Sequence, residues 1–311
     1  MGLHHYRIGD IGRIIKHIRD FSPEVINIHG SRNILSPLTV INVKRAFPDI
    51  PLIYSPHHDS KSGVTFSGRY LFWLHKILLL RRAYQNADMI TVCSEFEELQ
   101  VSGSYFGRSD KIRVIPNGID EPNRILKKIT ERDKMIISAG YLFELKGIHH
   151  VIRALREIHD RGMTEWKMVV CGDGPFKGHL KRLVSSLGLK ESVEMKGFVS
   201  REELVSLMGN ARVATLISRS ENYGIFAAES LSSGIPTVVT DSTALSEFEW
   251  VEWCFTVPEP VETEILADRI LQASICETKV IINQRNLISW EKTCEILNHE
   301  IELISRGRKL I

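Results

Sequence analysis

The 311-residue sequence contains no C-x-x-C pair; its five cysteines, Cys93, Cys171, Cys254, Cys276 and Cys294, are odd in number and widely scattered. That pattern excludes a zinc ribbon, a thioredoxin-type redox centre and a disulfide framework, and it favours a reducing cytoplasm. Apolar runs stay well short of the roughly 18 residues that a membrane span needs. No basic-then-apolar leader opens the chain, so neither export nor membrane insertion is expected. Also lacking are a Walker A loop, a D-x-D metal signature and a complete G-x-G-x-x-G fingerprint. Internal repeats and low-complexity segments are absent too.

What is present is ordinary globular composition, 43% hydrophobic and 25% charged, on a chain long enough for two domains. The net charge is only +2, but it is unevenly spread. Residues 1–130 hold 18 Lys and Arg against 12 Asp and Glu, hence +6, which leaves −4 for the remainder. The basic first half favours an anionic acceptor or an anionic membrane surface nearby.

Short β-branched runs alternate with longer amphipathic stretches, the pattern of parallel sheets covered by crossover helices. In the first half, strands are expected at EVINIH, PLIYS, MITVCS and IRVIP. In the second they fall at KMIISAG, WKMVVCG, SVEMKG, RVATLIS and IPTVVT, with helices beginning near Gly147, Pro175, Arg201, Asn222 and Thr263. Residues 117–133, containing PNGID and KKITERDK, read as a turn and polar linker. The expected domains are therefore 1–130, 131–280, and a C-terminal helix with tail over 281–311, N-capped by Ser289.

Three segments carry candidate chemistry. In SRSENYGIFAAESLSSGIP, Glu221 precedes a helix, Gly224 stands at its start, and Glu229 lies inside it. A glycine there admits close approach of a ligand to the helix's N–H groups, a ready phosphate site. Eight residues of ideal helix separate the carboxylates by roughly 12 Å, too far for paired acid–base work on one bond. They can grip two parts of one long ligand; by spacing alone they could equally be two solvated surface glutamates. In SAGYLFELKG, Lys146 near a helix start could meet a diphosphate or be an ordinary surface lysine. The third segment, CGDGPFKGHL, is a Gly-rich turn that says little by itself.

In order and spacing, GYLFELKG, GDGP, VEMKGFV and SRSENYGIFAAESLSSGIP resemble family 4 of the glycosyltransferases, with support from YSPHHD, ADMITVCSEFE, VIPNGID and SWEK. The resemblance implies an α/β fold of GT-B type: two Rossmann-like doubly wound lobes facing across a cleft, the first incomplete here, with a C-terminal helix crossing back. It implies a retaining hexosyltransferase that uses a UDP- or GDP-sugar donor, no cofactor and no catalytic metal, acting in the cytoplasm or at the inner membrane face. A glycan or lipid-linked acceptor is implied, and no nucleic acid. On the family's pattern Lys146 binds the diphosphate, assisted by backbone around Gly224 and Ile225. Glu221 contacts the donor sugar, Glu229 the ribose, and Phe198 lies near the base. His57 points toward the donor sugar, with His58 its competitor, although both could be solvated loop histidines. Asn117 and Gly118 match a structural interlobe turn.

Four features depart from, or stand outside, that pattern. The chain opens at a helix where relatives have a first strand and a Gly-Gly loop, so a partner chain completing the first lobe is one expectation. Tyr141 stands where the family has a diphosphate-binding arginine, removing positive charge that Arg219 could supply. Thr243-Ala244 replaces Gly-Gly ahead of Glu247. Finally, the apolar stretch 71–82, LFWLHKILLLRR, reads either as a core helix of the first lobe or as a helix resting on an anionic membrane. Activity and a catalytically silent nucleotide-sugar-binding or scaffold subunit are both compatible with these residues.

Overall fold

A computed structural model of the protein describes residues 10–31, 34–57, 69–105, 109–120 and 129–308. The chain divides into two compact units, one comprising 1–116 with 291–311, the other 117–290. His58 and residues 121–128 lie outside the described set.

The first unit holds four strands, β1 (Ile26–His29), β2 (Leu52–Ser55), β3 (Met89–Val92) and β4 (Ile112–Val114), in sheet order β1-β2-β3-β4 with every pairing parallel. Parallel neighbours require crossovers, here the helices α2 (Leu35–Ala46), α3 (Arg69–Asn86) and α4 (Glu95–Tyr105), preceded by α1 (Asp10–Phe21). Leu80, Ala83 and Tyr84 of α3 are buried with Val40, Leu52, Tyr54 and Ile90. The second half of the apolar stretch 71–82 thus contributes to the core, with Leu78 half exposed. Among the described residues no helix is long and apolar enough to cross a membrane.

In the second unit six parallel strands alternate with helices: β5 (Asp133–Ala139), α5 (Ile148–Asp160), β6 (Lys167–Cys171), α6 (Lys177–Ser186), β7 (Val193–Gly197), α7 (Arg201–Asn210), β8 (Ala211–Leu216), α8 (Ile225–Ser232), β9 (Thr237–Thr240), β10 (Cys254–Val257) and α9 (Thr263–Ala273). The sheet order β7-β6-β5-β8-β9-β10 is the doubly wound dinucleotide-fold order, whose reversal lies between β5 and β8. Alternate strand residues face opposite layers: Ile136, Met168 and Val170 join α5, α6 and α9, while Ile137, Val169 and Cys171 join α7. On α5 the buried Ile148, Val151, Ile152, Leu155 and Ile158 recur at helical spacing. The strand β10 and a helical turn over Ala244–Phe248 were not anticipated from the sequence, and α8 starts at Ile225 rather than near Asn222. Helix α10 (Trp290–Arg308) closes the chain, its Glu300 ion-paired to Arg113 at 2.6 Å within the first unit.

Candidate active site

In open α/β sheets, ligands meet the loops at the carboxyl ends of the strands, beside the order reversal. Three such loops of the second unit are braced against one another. After β5, Gly140 donates its N–H to Cys171 O (3.0 Å) and Leu142 to Asp173 O (3.0 Å), while Phe176 N donates back to Leu142 O (3.0 Å). A Cβ on Gly174 would lie 2.6–2.9 Å from the backbone of Leu142, and one on Gly172 would lie 1.9 Å from Gly140 O. GDGP is therefore the turn that lets two loops pack backbone to backbone. On the other side, Arg219 N donates to Leu145 O (2.9 Å). Gly147, in the left-handed region at φ 66°, passes so close to Ile217 that a Cβ would sit 1.7 Å from its carbonyl oxygen.

These braces set Lys146 immediately before α5. Its Nζ lies 2.5 Å from Glu221 Oε1, in the loop before α8, and both side chains are mostly buried. Gly224 caps α8 with φ 87° and has Leu245 against it, so the helix start opens through a backbone conformation that other L-residues adopt only with strain. The first N–H groups of such a helix lack partners within it. Ile225, the first helical residue, is exposed. The Thr243-Ala244 turn needs no glycine: Thr243 is extended and its Oγ1 accepts from Leu245 N at 3.3 Å.

Glu229, further along α8, has a different partner. Arg201 Nη1 donates to Glu229 Oε2 at 2.8 Å and Nη2 lies 2.7 Å from Oε1, with Asp120 3.1 Å from the same Nη2. The carboxylate's hydrogen bond raises the Arg201 pKa above its ordinary value. The two glutamates are thus held by separate cations. Phe198, in the turn after β7, is 77% exposed, and Tyr141 packs on Phe143 with ring centroids 4.5 Å apart, both exposed. Arg219 is paired with Glu259 at 3.2 Å.

On the first turn of α5 stand His149 and His150, ring centroids 4.1 Å apart. Burial, then the neighbouring His150, Arg153, His179 and Arg219, push the His149 pKa down to about 4, and its Nδ1 is buried without a partner.

In the first unit His57 follows β2 with φ 47°, a strained conformation for a non-glycine residue. Its Nε2 lies 3.0 Å from His29 Nδ1 at the end of β1, and the rings stack. Burial, then His57, lowers the His29 pKa. Gly118 is tightly packed: a Cβ would meet Trp290 at 2.4 Å, and the adjacent Ile119 donates to Ile288 O at 2.9 Å.

Among these, His29 and Arg201 were not singled out from sequence. The signal for His29 was its place at the end of a strand adjacent to the one that carries His57. Arg201 stands 28 residues from its partner, with no local signature.

The model of the glycosyl transferases group 1 matches residues 120–280, more than half of the chain, and the glycosyltransferase family 4 model matches residues 2–121. The chain belongs to the group 1 glycosyltransferases. It is 32% identical over 177 residues to an uncharacterised glycosyltransferase of Methanocaldococcus jannaschii, an alignment covering 53% of this chain and 45% of that protein. It is 26% identical over 207 residues to an MMP alpha-(1->4)-mannosyltransferase of Mycolicibacterium hassiacum, covering 63% and 50%. The alignments thus span about half the length of these curated relatives. Among solved structures, sucrose-phosphate synthase of Thermosynechococcus elongatus matches with TM-score 0.76 at 16% identity, covering 99% of this chain and 81% of that one. Anabaena HepE in complex with UDP and glucose matches with TM-score 0.66 at 18% identity, covering 96% and 79%. The fold of this group 1 glycosyltransferase is accordingly GT-B, two Rossmann-like units.

Proposed function

We propose that the protein is a retaining hexosyltransferase that moves a sugar from a UDP- or GDP-sugar to a glycan or lipid-linked acceptor without a catalytic metal. The observation that carries this reading is the Lys146–Glu221 pair at the mouth of α8, 2.5 Å apart and largely shielded from solvent. In transfer, the bond from the sugar's anomeric carbon to the diphosphate breaks. A bond to an acceptor oxygen forms on the same face, the acceptor hydroxyl's proton passes to the departing diphosphate oxygen, and the protonated nucleoside diphosphate leaves. Negative charge grows on the leaving diphosphate, where Lys146 and the amides at Gly224 and Ile225 are suited to receive it. Glu221 holds the lysine and addresses the sugar's hydroxyls, Glu229 accepts from the ribose, and Phe198 flanks the base. His57, which the family's pattern assigns to the donor sugar, is braced by His29 within the first unit. The HepE complex, with UDP and glucose, supports a nucleotide-sugar donor.

Tyr141 favours a second reading, a nucleotide-sugar-binding subunit without turnover, because an uncharged phenol replaces the arginine of relatives. Calorimetric titration with UDP, GDP and ADP, followed by donor-hydrolysis assays with and without chelator, separates the two. Turnover insensitive to chelator is the expected result. Binding with no turnover against any acceptor would establish the silent subunit, and chelator-sensitive turnover would refute the metal-free mechanism. Flotation with anionic vesicles at low salt tests a membrane-bound acceptor, and failure to bind them removes the membrane from the reading.

A further inference from the structure

Arg201 is the first residue of α7, and its backbone is fixed by Ser200, whose Oγ accepts from Glu203 N at 3.1 Å. From there the guanidinium makes a two-pronged contact with Glu229, 2.8 and 2.7 Å to the two carboxylate oxygens. Asp120 holds its other flank at 3.1 Å. The setting is asymmetric: the Glu229 side chain is 11% exposed, against 40% for Arg201 and 56% for Asp120. A pair between two exposed ions contributes little. A planar fork on a nearly buried carboxylate instead fixes the plane of that carboxylate. Each carboxylate oxygen has two acceptor directions, so the fork leaves one on each oxygen available. A vicinal diol offers two donors, which matches those two remaining directions.

We infer that Arg201 is a positioning residue for the nucleotide. It orients the Glu229 carboxylate so that its remaining lone pairs accept both ribose hydroxyls, and Asp120 keeps the guanidinium from swinging away. This rests on the reading above that Glu229 addresses the ribose. That role makes Arg201 a determinant of sugar selectivity within the nucleotide.

The test is titration of wild-type protein, Arg201→Ala, Arg201→Lys and Asp120→Asn with UDP and GDP and with their 2′,3′-dideoxy forms, alongside melting temperatures. Wild type is expected to prefer the ribose form about tenfold or more, the scale of hydrogen bonds to a charged group. In Arg201→Ala, affinity for the ribose form falls about tenfold and the preference shrinks toward unity, while the dideoxy form binds almost as before. Arg201→Lys keeps the charge without the fork and recovers less than half of the lost preference on a logarithmic scale. Asp120→Asn loses roughly two- to threefold, as an exposed flank should. An undiminished ribose preference in Arg201→Ala, or tighter nucleotide binding by that variant, would overturn the inference while leaving Glu229 in its role. A wild type indifferent to the ribose hydroxyls would overturn the Glu229 assignment and Arg201 with it. Binding of neither UDP nor GDP by wild type would overturn the donor site as a whole.

Discussion

Lys146 and Glu221 are 75 residues apart in sequence and 2.5 Å apart in the structure. Removing the lysine leaves a mostly buried carboxylate without its cation and, on the proposed mechanism, the leaving diphosphate without its counter-charge. Lys146→Ala is therefore expected to lower the transfer rate by at least about a hundredfold, near 3 kcal/mol of transition-state stabilisation, with circular dichroism unchanged. Wild-type turnover in that variant would take Lys146 out of the mechanism. Tyr141, exposed and packed on Phe143, supplies the converse experiment. Tyr141→Arg introduces the charge that the family's pattern implies at this position and, on the proposed function, should tighten UDP or GDP binding by about tenfold; an unchanged dissociation constant would mean that the diphosphate lies elsewhere. At this scale the sequence was informative where a motif names a residue type at a fixed offset. It was silent on pairings such as Arg201 with Glu229, and His29 with His57, which only the fold brings together.

Most elements were legible because their patterning was strong. Buried β-branched strands such as β5 and β9 were placed to within two residues, and α5 announced itself through its apolar periodicity. β10 escaped because it is a four-residue edge strand whose only fully buried position is Val257. The late start of α8 has a local cause: Gly224 is held in the left-handed region at φ 87°, so helical geometry cannot begin before Ile225. The junction between β5 and α5 is more demanding. A Cβ at Gly147 would combine a left-handed conformation with a contact 1.7 Å from Ile217 O. Gly147→Ala is expected to destabilise the fold by about 3 kcal/mol and to move Lys146 enough to depress turnover. An unchanged urea midpoint would show that the junction relaxes freely.

The whole molecule joins a four-stranded and a six-stranded parallel sheet, and its response to acid should report the second. His149 has a folded-state pKa of about 4 against an ordinary 6.5. As pH falls through 6.5 the unfolded chain takes up a proton that the folded protein refuses until about 4. Stability contributed by the neutral ring is thus complete above 6.5 and is lost across that interval. Burial also lowers the His150 pKa, in the same sense. Thermal melts at pH 7.5 and 4.5 should show a smaller drop for His149→Asn than for wild type; equal drops would clear His149 of any part in acid sensitivity. Fold class was readable from the sequence because alternation and ordered motifs persist over the whole length, whereas this histidine cluster depends on how α5 meets α6.

The backbone contact between Gly174 and Leu142, with Gly172 against Gly140, bears on how such a protein can diversify. Two loops locked main chain to main chain cannot lengthen or shorten independently, so insertions there are penalised. Variation is channelled into side chains that project from a fixed platform, Tyr141, Phe143 and Phe198 foremost. An attempt to redirect donor choice is better spent on a small library at those three positions than on transplanting whole loops from a relative.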